Sequence, residues 1–175
     1  MRRILLSCAF LTVLSAAAVA AAHASATAKP GYLVVQKGRN DGGVNGNPAV
    51  TVVVRPGFIL GRVSKEAAVE IYHLASASGQ GAPQVKGTDV STAPVRWHGL
   101  AGKRYSGSSF RFRAPGGFYR VVIRGSGVYV FSGGRGTAWL QGTSTSRHSD
   151  GAYSVNGGRF HSLPTNVVKR KIGRG

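Results

Sequence analysis

The chain is almost without cysteine and is poor in acidic residues. Its one cysteine is Cys8, and it has five aspartates and glutamates against 23 lysines and arginines. Cys8 lies in the N-terminal segment that we expect to be removed, so the mature chain should have no disulfide framework, thiolate metal site or cysteine nucleophile. Glycoside hydrolysis needs two acids in one cleft. Glu66 and Glu70 are the only close pair of acids, and we expect them to face solvent.

The N-terminal segment has the pattern of a secretory signal peptide. Residues 1–3 are basic at two positions, residues 4–19 are apolar, and residues 22–24 give an Ala-His-Ala cleavage pattern. We predict that residues 1–24 are removed on export, which makes the protein secreted or associated with the cell envelope. The alternative is a retained N-terminal anchor, because the apolar run is nearly long enough to span a bilayer.

Short apolar or alternating segments separated by glycine-rich turns predict an all-β fold. The chain has 26 glycines, and eight to eleven short antiparallel strands are expected, which is typical of a β-sandwich or barrel built of hairpins. We predict a short tail at 25–30, a single β domain over 31–166 and a basic tail over 167–175. The first strands are expected at 31–36, 49–55, 58–63, 64–74 and 95–100. A short helix is the alternative at 64–74, and the long connection at 76–92 has room for one weak strand.

Arginines recur at alternate positions after residue 110. A four-residue loop at 114–117 would make a hairpin that pairs Phe112 with Tyr119 and Arg111 with Arg120. Because the two arginines would repel each other, an external anion between them is a hypothesis, and splayed, solvated side chains are the alternative. The register puts four candidate anion-binding residues on one sheet face, opposite the apolar side chains: Arg111, Arg113, Arg120 and Arg124.

Two later turns bear on that face. If residues 126–127 form a two-residue loop, Tyr129 and Phe131 lie beside Arg120 and Arg124, an arginine–aromatic arrangement suited to single strands or sugars. A three-residue loop would bury both rings instead. Further on, the Asn-Gly sequence at 156–157 predicts a type I′ turn that pairs Tyr153 with Phe160 and Ser154 with Arg159.

No defensible catalytic or metal-binding motif is present. Ser146, His148 and Asp150 match a catalytic triad only in composition, because they lie in a polar turn without a strained nucleophile turn. Residues 41–46 echo a calcium loop, but glycine occupies its third position and Val52 stands where the bidentate glutamate belongs. The histidines have no metal-ligand spacing. We therefore predict a protein that is not an enzyme and uses no metal or cofactor.

Two glycine-rich runs carry a resemblance. The sequences GVYVFSGGRGTAWLQG at 127–142 and SDGAYSVNGG at 149–158 resemble predicted-secreted, glycine-rich β proteins of actinobacteria. The resemblance extends over most of the chain that follows the signal segment and implies an exported β domain. No activity is established for those proteins, so the resemblance assigns no functional residue.

A formal net charge of +18 predicts attraction to polyanions. Our first hypothesis is a non-enzymatic secreted or envelope-associated β domain that binds an anionic polymer or membrane surface through the arginine-rich face. Partners of suitable chemistry are wall polymers, acidic polysaccharides, nucleic acids and anionic lipids. The second hypothesis is a structural or protein-interaction module whose basic charge is incidental and whose arginines are dispersed. The third is a hydrolase with a site assembled from distant residues.

Overall fold

The fold is all-β. A computed structural model describes residues 29–40, 45–74, 81–143 and 150–173, and these contain nine strands in one antiparallel sheet that is not closed into a barrel. The predicted fold class is confirmed, and within the described residues no helix is long and apolar enough to cross a membrane. The strands are β1 (Gly31–Gly38), β2 (Val50–His73), β3 (Gln84–Gly87), β4 (Ser91–Trp97), β5 (Leu100–Arg124), β6 (Val128–Leu140), β7 (Ala152–Val155), β8 (His161–Ser162) and β9 (Val168–Ile172).

The long strands β2, β5 and β6 bend, so that each contributes to two parts of the sheet. What we call the β1 half contains β1, β3, β7 and β8 with residues 57–64 of β2, 109–114 of β5 and 128–134 of β6. The β4 half contains β4 and β9 with both ends of β2, residues 101–107 and 119–124 of β5, and 136–140 of β6. Inward-facing side chains from the two halves form one hydrophobic core.

Proline and glycine residues that the sequence indicates as turns lie at bends inside these strands. Pro56 has no N–H to donate to the ladder, and the pairing of β2 shifts between Val54 and Gly57. Opposite this bend, Gly134 has φ +128°, and a Cβ atom there would lie 2.3 Å from the Pro56 carbonyl oxygen. The strands β2 and β6 therefore approach each other so closely at this bend that only glycine fits at position 134 without strain.

The predicted hairpin with a loop at 114–117 is wrong. Residues 100–124 form the continuous strand β5; Phe112 pairs with Gly61 and Val85, and Tyr119 pairs with Val54 and His73. The partners come from β2 and β3, which are distant in sequence. The predicted apolar face is nevertheless correct, since all its members are buried: Phe110, Phe112, Tyr119, Val121 and Ile123.

Other strand predictions are largely confirmed. Residues 31–36 fall in β1, and residues 64–73 belong to β2, as the strand interpretation of that segment required. The expected single strand at 95–100 is instead divided, because His98 and Gly99 turn the chain from β4 into β5 with positive φ angles. Residues Val168–Ile172 of the expected basic tail form β9, which pairs with β6.

The turn at Asn156 and Gly157 has positive φ at both residues, 54° and 78°, as a type I′ turn requires. The predicted register is one residue out, because Tyr153 pairs with His161 and not with Phe160. Beside the turn, the Ser154 hydroxyl donates a hydrogen bond of 2.6 Å to the Gly158 carbonyl oxygen.

Candidate anion-binding site

The four arginines predicted from the sequence fall into two groups. All four alternate with buried residues of β5, and none belongs to the hydrophobic core. Arg111 and Arg113 belong to the β1 half and are exposed, whereas Arg120 and Arg124 belong to the β4 half and are half-buried. A single four-arginine surface on one hairpin is therefore not formed.

Arg124 is held in a polar network on the β4 half. Its Nη1 lies 2.8 Å from Glu70 Oε1, and its Nε donates a 3.0 Å hydrogen bond to the Gly46 carbonyl oxygen. The other carboxylate oxygen, Glu70 Oε2, accepts a 2.9 Å hydrogen bond from the Tyr72 hydroxyl. The expectation that Glu70 faces solvent is wrong, because this residue is only 8% exposed. Glu66, the other acid of the close pair, is exposed as expected.

Arg120 is stacked against two aromatic rings of the same half. Its guanidinium carbon lies 4.3 Å from the centre of the Trp97 ring and 5.3 Å from that of Tyr72. Burial lowers the pKa of Arg120. Burial, followed by the hydrogen bond to Glu70, raises the pKa of Tyr72 to about 12. Arg120 and Arg124 already have partners within the fold, so we assign them to stabilising the β4 half.

A different set of cations lies on the outer surface of the β1 half. Arg111 of β5 pairs with Lys86 of β3 on one side and with Arg62 of β2 on the other. These three exposed side chains, which we call the cationic row, cross neighbouring strands that are about 4.8 Å apart. In the described part of the chain none of the three pairs with a carboxylate. Like charges directly opposite each other destabilise a sheet unless an anion neutralises them.

The cationic row borders a groove of about 350 Å³. Beyond the row, Arg62 pairs with Tyr129 of β6, and its guanidinium carbon lies 4.1 Å from the centre of the Tyr129 ring. Two serines, Ser64 and Ser109, also line the groove and add hydroxyl groups that can donate hydrogen bonds to an anion. The groove therefore offers charged and neutral donors in one place.

Tyr129 and Phe131 face outward, which is one of the two alternatives left open by the sequence. Val128 and Val130 are buried, whereas Phe131 is 43% exposed and Tyr129 is half-buried. The neighbours of the two rings are not those expected, because Tyr129 lies beside Arg62 and Phe131 pairs with Leu60 and Val34. Arg62 was missed because its strand partners are distant in sequence; Lys86 was missed for the same reason, within a segment interpreted as a connection.

The remaining candidate sites gain no support. Ser146 and His148 of the triad-like group and residues 41–44 of the calcium-loop-like segment lie outside the described residues. Among the described residues no group of three His, Cys, Asp or Glu side chains could hold a metal ion. His73 and His98 instead contact aromatic rings, Tyr119 at 5.0 Å and Trp97 at 4.8 Å.

Comparison with known proteins yields no relative. No protein-family model, no curated protein and no solved structure matches the chain. The chemistry of the exposed side chains is therefore the basis for a functional proposal.

Proposed function

We propose that the protein is a non-enzymatic, secreted or envelope-associated β domain that binds an anionic polymer through the cationic row. The observation that carries the proposal is the alignment of Lys86, Arg111 and Arg62 on three adjacent strands without a carboxylate partner among the described residues. Arg113, one pleat along β5 from Arg111, is exposed and extends the positive surface. Phosphate, sulfate or carboxylate groups of a polymer would neutralise this row through charge-assisted hydrogen bonds.

Two of the four arginines predicted from the sequence, Arg111 and Arg113, belong to the proposed site. The other two, Arg120 and Arg124, do not, and the site contains Lys86 and Arg62, which were not predicted. Arg124 has Glu70 as its counter-ion and Arg120 is covered by two rings, which leaves them less available to a ligand. Export of the domain rests on the signal-like pattern of residues 1–24, which lie outside the described residues.

The second candidate function is a structural or protein-interaction module with incidental charge. It is favoured by the large excess of cations over the whole chain, with a formal net charge of +18, because such a chain attracts polyanions without any built site. The two candidates differ in where the binding energy lies: in the cationic row, or spread over the surface.

Charge reversal at matched positions separates them. Arg111→Glu changes the charge by the same amount as Arg96→Glu, and Arg96 is an exposed residue of the edge strand β4 in the other half of the sheet. On a heparin column we expect Arg111→Glu to elute at clearly lower salt than Arg96→Glu, which should stay close to the unmodified protein. Equal shifts for the two variants would favour incidental charge, and retention unaffected by high salt would contradict electrostatic binding altogether.

A further inference from the structure

An apolar aromatic patch adjoins the cationic row on the same outer surface. Tyr32, Leu60 and Phe131 are each 40–43% exposed. Phe131 is the centre of the patch, since its ring lies 6.2 Å from the Tyr32 ring and 5.6 Å from the Phe58 ring. Isolated exposed apolar side chains are common on protein surfaces, whereas a contiguous group of them is a candidate interaction site.

The strand register fixes how the patch and the row adjoin. Arg62 pairs with Tyr129, and the next outward pair along the same two strands is Leu60 with Phe131. Two residues along a strand span about 7 Å, so Arg62 and the exposed ring of Phe131 belong to pairs that are one pleat apart. The groove of the cationic row and a shallow apolar depression of about 370 Å³ share the side chains of Arg62, Arg111 and Tyr129.

This arrangement selects among anionic polymers. A ligand that fills both parts must carry anionic groups on one side and flat apolar groups on the other, within about one pleat of each other. A duplex hides its bases in the stack. The sugar rings of an acidic polysaccharide can lie on an aromatic side chain through their C–H faces, but these faces are rimmed with hydroxyl groups and are less flat and less apolar than a base. A single strand of nucleic acid has phosphates to meet cations and unstacked bases to lie on aromatic rings.

We propose that this surface binds single-stranded nucleic acid, with phosphates along Lys86, Arg111 and Arg62 and a base stacked on Phe131. The proposal rests on the proposed function, because it names the polymer that the cationic row would take. A bilayer of anionic lipid is the competing partner for a surface that is both basic and apolar. We favour the single strand because the cations border a groove, which accepts a chain segment better than it accepts a flat membrane.

The test measures the binding of a labelled oligothymidylate of about 15 nucleotides by fluorescence anisotropy. An abasic oligomer of the same length has the same phosphates without bases, so the proposal predicts weaker binding of the abasic strand. Phe131→Ala should weaken binding of the oligothymidylate about tenfold, the effect of one lost stacking contact, and should leave binding of the abasic strand and of heparin unchanged. Phe131→Tyr keeps the ring and should retain the affinity.

Phe160→Ala is the matched control, because Phe160 is 49% exposed and follows β7 outside the patch. Equal binding of the two oligomers, together with no effect of Phe131→Ala, would overturn the nucleic-acid proposal, while heparin binding that depends on Arg111 would leave the proposed function standing. Binding to phosphatidylglycerol vesicles that is tighter than to the oligothymidylate and depends on Phe131 would also overturn it, in favour of a membrane surface. If the unmodified protein shows no salt-sensitive binding to heparin, both the nucleic-acid proposal and the proposed function are overturned.

Discussion

Replacement of Glu70 by glutamine tests the polar network of the β4 half. The change removes the negative charge that faces Arg124 at 2.8 Å and weakens the acceptor that holds the Tyr72 hydroxyl at 2.9 Å. Removing one partner of a fully buried ion pair costs about 3–5 kcal/mol. The Arg124 side chain is 21% exposed, and glutamine keeps one carbonyl acceptor. We therefore expect Glu70→Gln to lower the free energy of unfolding by about 2–3 kcal/mol.

The matched control is Glu66→Gln, four residues earlier in the same strand. Glu66 is exposed, and its replacement raises the net charge by the same amount. We expect its effect on stability to stay within about 0.5 kcal/mol. Urea is the appropriate denaturant for both variants, because guanidinium chloride is a salt and screens charge interactions. A cost for Glu70→Gln no larger than that for Glu66→Gln would refute the stabilising role of the network.

A spectroscopic measurement on the same variant separates the network from general loss of stability. The hydrogen bond to Glu70 and its negative charge help to raise the pKa of Tyr72 to about 12. Without that charge the pKa of Tyr72 should fall, while burial keeps it above the ordinary tyrosine value of about 10. Absorbance titration of tyrosinate, with Tyr72→Phe to identify the transition, measures the change. An unchanged highest transition would contradict the assignment of Glu70 as its cause.

Two further predictions concern the bends and the pH dependence. Gly134→Ala should destabilise the fold more than Gly99→Ala in urea unfolding. Both glycines have positive φ, which strains alanine by about 1–3 kcal/mol, but an added Cβ lies 2.3 Å from the Pro56 carbonyl oxygen at position 134 and meets nothing within 4 Å at position 99. Equal losses of stability would refute the close approach of β6 to β2. As the pH rises from about 10, where unfolded tyrosine ionises, to the pKa of Tyr72 at about 12, the folded state keeps a proton that the unfolded chain has lost. The free energy of unfolding should therefore fall over this interval, and Tyr72→Phe should lose part of the fall; an identical decline in the variant would contradict the raised pKa.

The sequence predicted local features well because they depend on neighbouring residues. Alternation of apolar and polar residues in β5 identified its buried face correctly, from Phe110 to Ile123. The Asn-Gly pair at 156–157 identified a turn with positive φ at both positions. Both signals act within a few residues along the chain.

Pairing between strands was predicted poorly because it depends on distant residues. The turn-like residues at 114–117 indicated a hairpin, but β2 and β3 provide the partners of β5 and the same residues only bend it. A neighbouring hairpin is the natural first assumption for antiparallel strands joined by a short glycine-rich loop. An error in strand pairing assigns an arginine to the wrong group. For that reason two of the four predicted site residues, Arg120 and Arg124, do not belong to the proposed site.

The two groups of arginines differ in their surroundings because of where the few acids and the aromatic rings lie. The β4 half has Glu70 as a counter-ion and two rings, of Trp97 and Tyr72, that cover Arg120. The β1 half places Lys86, Arg111 and Arg62 side by side and pairs none of them with a carboxylate in the described part of the chain. Repulsion within that row opposes folding and is relieved when an anion binds, so ligand binding should stabilise the fold. The electrostatic repulsion within the unpaired cationic row is thus the physical reason to expect that an anionic ligand binds there.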